Sequence, residues 1–156
     1  MTARGVKARS YDNSRRAEQA RETRRRIVEV ARELLLAQGY ATTTIAQVAK
    51  AAGVSSETVQ KGFGTKAALA KAVYDVTLVG DDEAVPLRER PEFLAIAAEP
   101  DPARKLAAYG AVGRSLWERL GPLLDVLMQG AQAGEPDLVA FVATIRRESY
   151  VGASGL

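Results

Sequence analysis

Glu57, Thr58, Gln60 and Lys61 are four polar side chains set around one apolar residue, Val59. On a helix with Val59 turned inward, Glu57 and Lys61 point roughly away from it and Thr58 and Gln60 flank, with Ser56 nearer the start. This mixture of carboxylate, hydroxyl, amide and ammonium matches the edges of nucleic-acid bases. Gln can bond adenine at two points, Lys can donate to guanine, and Glu can accept from cytosine. The bland reading of the same pattern is a helical hairpin that packs, or binds another protein, without touching DNA.

Presenting such a helix requires a second helix crossing it over a short turn, and the stretch IAQVAKAAGVSSETVQKGF (45–63) meets each requirement. Val48 is apolar toward the partner helix and Ala49 is small enough for close approach. Gly53 accepts the positive φ of the turn, Val54 plugs the corner and Val59 faces inward. This is the pattern of a helix-turn-helix, whose second helix enters a major groove. Thr44 followed by Gln47 predicts a capping box opening a helix over Ile45–Ala52. Ser55 and Thr65 are expected to cap the next two helices, the first to about Gly62 and the second through about Val79.

Around this unit the chain reads as helical throughout. From about Ser14 an apolar stripe of Ile27, Ala31, Leu34 and Leu35 predicts a first helix closed by Gly39. Residues 1–13 show no apolar periodicity and are expected to form a basic flexible arm. Its Arg4, Lys7 and Arg9, with Arg15 and Arg16, would attract a polyanion or reach a minor groove. Asp81–Glu83 lacks the ligand spacing of a calcium loop and reads as a solvated turn. A short helix is expected over Glu92–Ala98, and Asp101-Pro102 opens a helix bearing Leu106, Tyr109, Val112, Leu116, Trp117 and Leu120. Gly121-Pro122 is expected to end that helix and start another with Leu123, Leu124, Leu127 and Met128. A last helix carries Leu138, Phe141, Val142 and Ile145, followed by a frayed VGASGL tail.

Composition narrows the function. The 156 residues contain no Cys and no His, which removes thiolate nucleophiles, Ser-His triads and nearly all zinc sites. With no phosphate loop and no persuasive carboxylate pair, no enzyme activity, metal or cofactor is expected. No stretch approaches a membrane span, and the basic start lacks a signal peptide's apolar core, so a cytoplasmic protein is expected. Net charge is +3 but unevenly placed: residues 1–72 hold 14 Lys/Arg against 6 Asp/Glu, and residues 73–156 hold 8 against 13. The basic half coincides with the hairpin, which favours an anionic partner there.

At this point the chain resembles the TetR family of bacterial regulators. The resemblance is carried by Leu35-Leu36-Ala37-Gln38-Gly39-Tyr40, Thr42-Thr43-Thr44-Ile45, Val48-Ala49, Ala52-Gly53-Val54-Ser55, Thr58-Val59, Phe63 and Thr65-Lys66-Ala67-Ala68-Leu69, roughly a third of the chain. It implies an all-α fold: a three-helix DNA-binding domain, taken as residues 14–64, and a helical ligand-binding and dimerising body, taken as 65–156. It further implies a repressor that grips a pseudo-palindromic double-stranded operator as a homodimer and is released by a small-molecule effector. Thr42, Thr43, Thr44 and Lys66 would then lie at helix N-termini against the DNA backbone. Ser55, Ser56, Glu57, Thr58, Gln60 and Lys61 would face the groove. Phe93, Tyr109, Trp117 and Met128 are the large or adaptable side chains for an effector pocket, though each suits an ordinary core as well. The sequence departs from the family at Gln60-Lys61-Gly62, where members usually carry Tyr, a polar residue and His for phosphate contacts. It also stops before the two further helices that pair subunits in the family, so a truncated body and a weak dimer are expected.

Overall fold

The computed structural model describes the backbone of residues 4–80 and 85–154 and the side chains of residues 14–80 and 85–147. Arg4, Lys7 and Arg9 as side chains, and the Asp81–Glu83 loop, lie outside the described residues. Seven α-helices are described: α1 (Arg4–Gln38), α2 (Ile45–Ala52), α3 (Ser56–Phe63), α4 (Lys66–Val79), α5 (Pro91–Ala98), α6 (Pro102–Gln132) and α7 (Pro136–Ser154), with a 3-10 turn at Leu87–Glu89 before α5. The described residues contain no strand, so the fold is all-α.

One continuous core joins the two halves. Ile27, Val28, Ala31 and Leu35 of α1 pack with Val48, Ala49 and Ala52 of α2, Val59 of α3, and Leu69, Ala70 and Val73 of α4. The same core runs on through Leu120, Leu123, Leu124 and Leu127 of α6 to Leu138, Val142 and Ile145 of α7. Tyr74 of α4 meets Phe141 of α7 edge to face, with ring centres 5.4 Å apart. Gly130 permits the closest approach between α6 and α7: a Cβ there would stand 2.7 Å from Leu138 Cδ1 and 3.2 Å from Tyr40.

Three sequence expectations are corrected. First, α1 begins at Arg4 instead of near Ser14. Residues 4–38 contain no proline and are rich in Arg, Ala and Glu, so the helix propagates without the apolar stripe that would have revealed it. Second, Gly121-Pro122 does not divide the chain, because α6 runs unbroken from Pro102 to Gln132 with Pro122 inside it. Proline removes one backbone hydrogen bond, but Leu120, Leu123, Leu124 and Leu127 are all buried on one side of this segment, and their burial outweighs that loss. Third, α7 continues through Ser154 where a frayed tail was expected from Val151.

The face drawn along the first half of α6 is also only partly inward. Leu120 is buried and Tyr109, Val112 and Leu116 are half-buried, whereas Leu106 and Trp117 stand out in solvent, 69% and 66% exposed.

Candidate nucleic-acid interface

α2 and α3 are held by local chemistry at every end. The capping box at Thr44 is formed as expected. Thr44 Oγ1 accepts from the Gln47 backbone N–H at 3.2 Å, and Gln47 Oε1 accepts from the Thr44 N–H at 2.8 Å. Gly53 takes the left-handed conformation at φ 67°, and its neighbour Val54 donates to the Ala49 carbonyl at 2.9 Å. Ser55 Oγ accepts from the Thr58 N–H at 3.1 Å, and Thr65 Oγ1 accepts from the Ala68 N–H at 3.1 Å. Each such cap stabilises its helix by about 1 kcal/mol.

Val59 is completely buried, while Glu57, Thr58, Gln60 and Lys61 are exposed and Ser56 is half-exposed. The polar set therefore shares the outer side of a helix whose inner side is fixed. Its C-terminal end is fixed as well, by a residue the sequence reading did not single out. The Arg24 guanidinium donates to the Gly62 carbonyl at 3.3 Å and stands 4.4 Å from the centre of the Phe63 ring. This satisfies an otherwise orphaned carbonyl at the end of α3, at the position where the family pattern is broken. A signal was present in the sequence: Arg24 lies three residues before Ile27, one turn further along the α1 stripe. Beside it, Arg16, Gln19, Thr23 and Arg24 of α1 and Thr58, Gly62 and Phe63 of α3 line an open groove of about 450 Å³.

Two expected backbone-contact residues are turned to other work. Thr43 is only 2% exposed, and its hydroxyl donates to the Gly39 carbonyl at 2.7 Å. It closes the turn between α1 and α2 and offers nothing to a phosphate. Lys66 is half-buried, with Nζ donating to the Tyr40 carbonyl at 3.0 Å and lying 4.0 Å from the centre of the Tyr40 ring. Its ammonium clamps the end of α1 to the start of α4. Thr42 and Thr44 remain exposed. The Thr42 hydroxyl donates to the Gln38 carbonyl, and Gln38 Nε2 in turn donates to Gln47 Oε1 at 3.1 Å, tying α1 to α2.

The residues considered for an effector pocket are not gathered in this way. Phe93, Tyr109 and Met128 are half-buried and Trp117 is exposed; none of them lines the α1–α3 groove or the small void of about 10 Å³ among α1, α2 and α4.

Tyr40 is buried beneath Lys66, and its phenol is pushed up to about 12, first by loss of water and then by the carboxylates of Glu135 and Asp137. Because the folded value is raised, the fold favours the neutral phenol. That stabilisation is complete below the ordinary tyrosine value near 10 and disappears as pH climbs toward 12. Tyr40→Phe keeps the ring and removes the proton, so the difference in melting temperature between wild type and Tyr40→Phe should change across this window and be constant from about pH 7 to 9. A constant difference up to about pH 12 would contradict the burial of the hydroxyl.

Residues 27–73 match the family described as bacterial regulatory proteins, tetR family. That match takes in the C-terminal part of α1, all of α2 and α3, and the first half of α4. Curated relatives match over a stretch of similar length. The chain is 39% identical over 61 residues to the HTH-type transcriptional regulator TtgR of Pseudomonas putida, and equally to the probable HTH-type transcriptional regulator ArpR of the same species. Each match takes in 39% of this chain and 29% of the relative, so the chain spans under a third of the length of the curated relatives it matches. Among solved structures it is similar to NalD, the secondary repressor of the MexAB-OprM multidrug efflux pump in Pseudomonas aeruginosa. That similarity is 25% in sequence, with a TM-score of 0.36, over 72% of this chain and 66% of that one. Among the described residues no helix is long and apolar enough to cross a membrane, and no group of His, Cys, Asp and Glu is placed to hold a metal ion.

Proposed function

We propose that this chain is a DNA-binding transcriptional regulator, a repressor that acts by occupying its operator, and not an enzyme. Residues 14–64 are the reader and residues 65–156 the body that pairs two copies and answers to a small-molecule effector. The observation that carries the reading is the division of α3: Val59 wholly buried, with Glu57, Thr58, Gln60 and Lys61 exposed together on a helix capped at both ends. A rigid helix with mixed donors and acceptors outward is what direct readout in a major groove requires.

The surroundings of α3 suit the phosphates on either side. Thr44 and Ser55 stand at helix N-termini, where backbone N–H groups and the positive end of the helix dipole favour anions. Arg16 and Arg24 line the groove on the other flank. Such contacts position the protein and carry no sequence information, whereas the α3 side chains specify bases.

The test follows from that split. Gln60→Ala should alter which bases are preferred at one or two operator positions by about 1–3 kcal/mol, read by selecting bound duplexes from a random pool with each protein. Binding of every sequence weakened by the same factor would show that Gln60 does not lie in the groove.

A further inference from the structure

The last turn of α3 is weak by composition, and it carries two of the outward side chains. Gln60 and Lys61 are exposed there and are followed by Gly62, which lacks the Cβ that restricts a backbone to helix. Val59 is buried in the core and Ser55 caps the start, so both of these ties lie before that turn. The Gly64 N–H donates to the Gln60 carbonyl at 2.7 Å and closes the helix from within. The carbonyls that follow have no further helical turn to bond them.

Arg24 reaches this turn from another helix. It stands on α1 three residues before Ile27, which is buried in the core and holds that stretch of α1 in place. Its guanidinium donates to the Gly62 carbonyl at 3.3 Å and lies 4.4 Å from the centre of the Phe63 ring. One planar cation thus grips two consecutive residues at the end of α3, 38 residues away in sequence.

We propose that Arg24 is a positioning residue for base reading: by tying the Gly62–Phe63 end of α3 to α1, it keeps the turn bearing Gln60 and Lys61 formed and aimed, and so sets how strongly one operator is preferred over other sequences. This deepens the reading of α3 as the base-reading helix and rests on that reading. Phosphate contacts form whatever the bases are, and they tolerate a frayed helix end. Base contacts from Gln60 and Lys61 need the last turn formed, and a turn already formed in the free protein spares the cost of ordering it on binding. Arg24 therefore acts on sequence preference through α3, beyond the attraction that its charge adds along the groove.

Gly62 supplies the deciding test. Its φ is not positive, and an added Cβ would meet nothing within 4 Å. Gly62→Ala therefore strengthens the same turn through backbone propensity and adds no charge. Affinities are compared, at one salt concentration, for the duplex that wild type selects from a random pool and for a random duplex. Arg24→Ala should lower the ratio of the two by about 5- to 10-fold. The double variant Arg24→Ala, Gly62→Ala should recover the ratio to within about 3-fold of wild type, while its affinity for the random duplex stays at the Arg24→Ala level. In the free protein, hydrogen exchange at the Gly64 amide should quicken by about 5- to 10-fold in Arg24→Ala and slow again in the double variant.

Equal weakening of both duplexes by Arg24→Ala, with a salt slope lowered by about one and no recovery in the double variant, would make Arg24 a phosphate contact alone and overturn the proposal. Unchanged exchange at Gly64 would overturn it as well. A lowered melting temperature with the ratio preserved would assign Arg24 to the stability of the fold, with the same result. In all three cases wild type still prefers its selected duplex, and only the role of Arg24 falls. A wild type with no preference among duplexes removes base reading by α3, and the proposal with it.

Discussion

Leu127→Ala should lower the unfolding free energy by about 2–5 kcal/mol, while Leu106→Ala on the same helix should change it by less than about 0.5 kcal/mol. The two leucines differ only in where α6 puts them. Leu127 is completely buried in the core shared with α1, α4 and α7, so truncation removes packed atoms and leaves a cavity. Leu106 is 69% exposed and loses little on truncation. Urea unfolding of both variants at low protein concentration, with unchanged slopes, is the check. Equal losses would mean that the first half of α6 is packed as tightly as the second, against the exposure of Leu106. The Leu127 effect is large against the roughly 5–15 kcal/mol that holds an ordinary domain together.

The parts of this fold that were legible in the sequence are those fixed by neighbours in the chain. Thr44 with Gln47, Ser55, Thr65 and the Asp101-Pro102 pair each start a helix where the sequence places one, because a cap needs only a hydroxyl or carboxylate within three residues of an orphaned N–H. Gly53 and the inward Val59 followed from the same short-range geometry.

What escaped the sequence depends on residues far apart in it. Thr42, Thr43 and Thr44 are chemically identical, and only the path of the turn after Gly39 decides that the middle one is buried. Lys66 looks like a free cation until α1 and α4 come together and place Tyr40 under its ammonium, 26 residues away in sequence. Arg24 stands among Arg21, Arg25 and Arg26, and it is the packing of α3 against α1 that makes it the residue capping Gly62. At Pro122 a local rule predicts a break that long-range burial overrides. In the first half of α6, periodicity marked an apolar face but could not say whether the chain would cover it.

If the basic first half of the chain grips duplex DNA, the dependence of that grip on salt is its most direct signature. Residues 1–72 carry 14 Lys/Arg against 6 Asp/Glu, and Arg16, Arg24 and Lys61 border or occupy the outer side of α3. Two copies on one operator would neutralise on the order of six to ten phosphates, releasing the counterions condensed there. The affinity for duplex DNA should then fall by roughly 10³-fold or more between about 50 and 200 mM salt, as a straight line of log affinity against log salt. A protein that bound partners through apolar packing of the hairpin would show almost no such slope. A flat line across that range, or no measurable binding to duplex DNA at the low-salt end, would contradict the account.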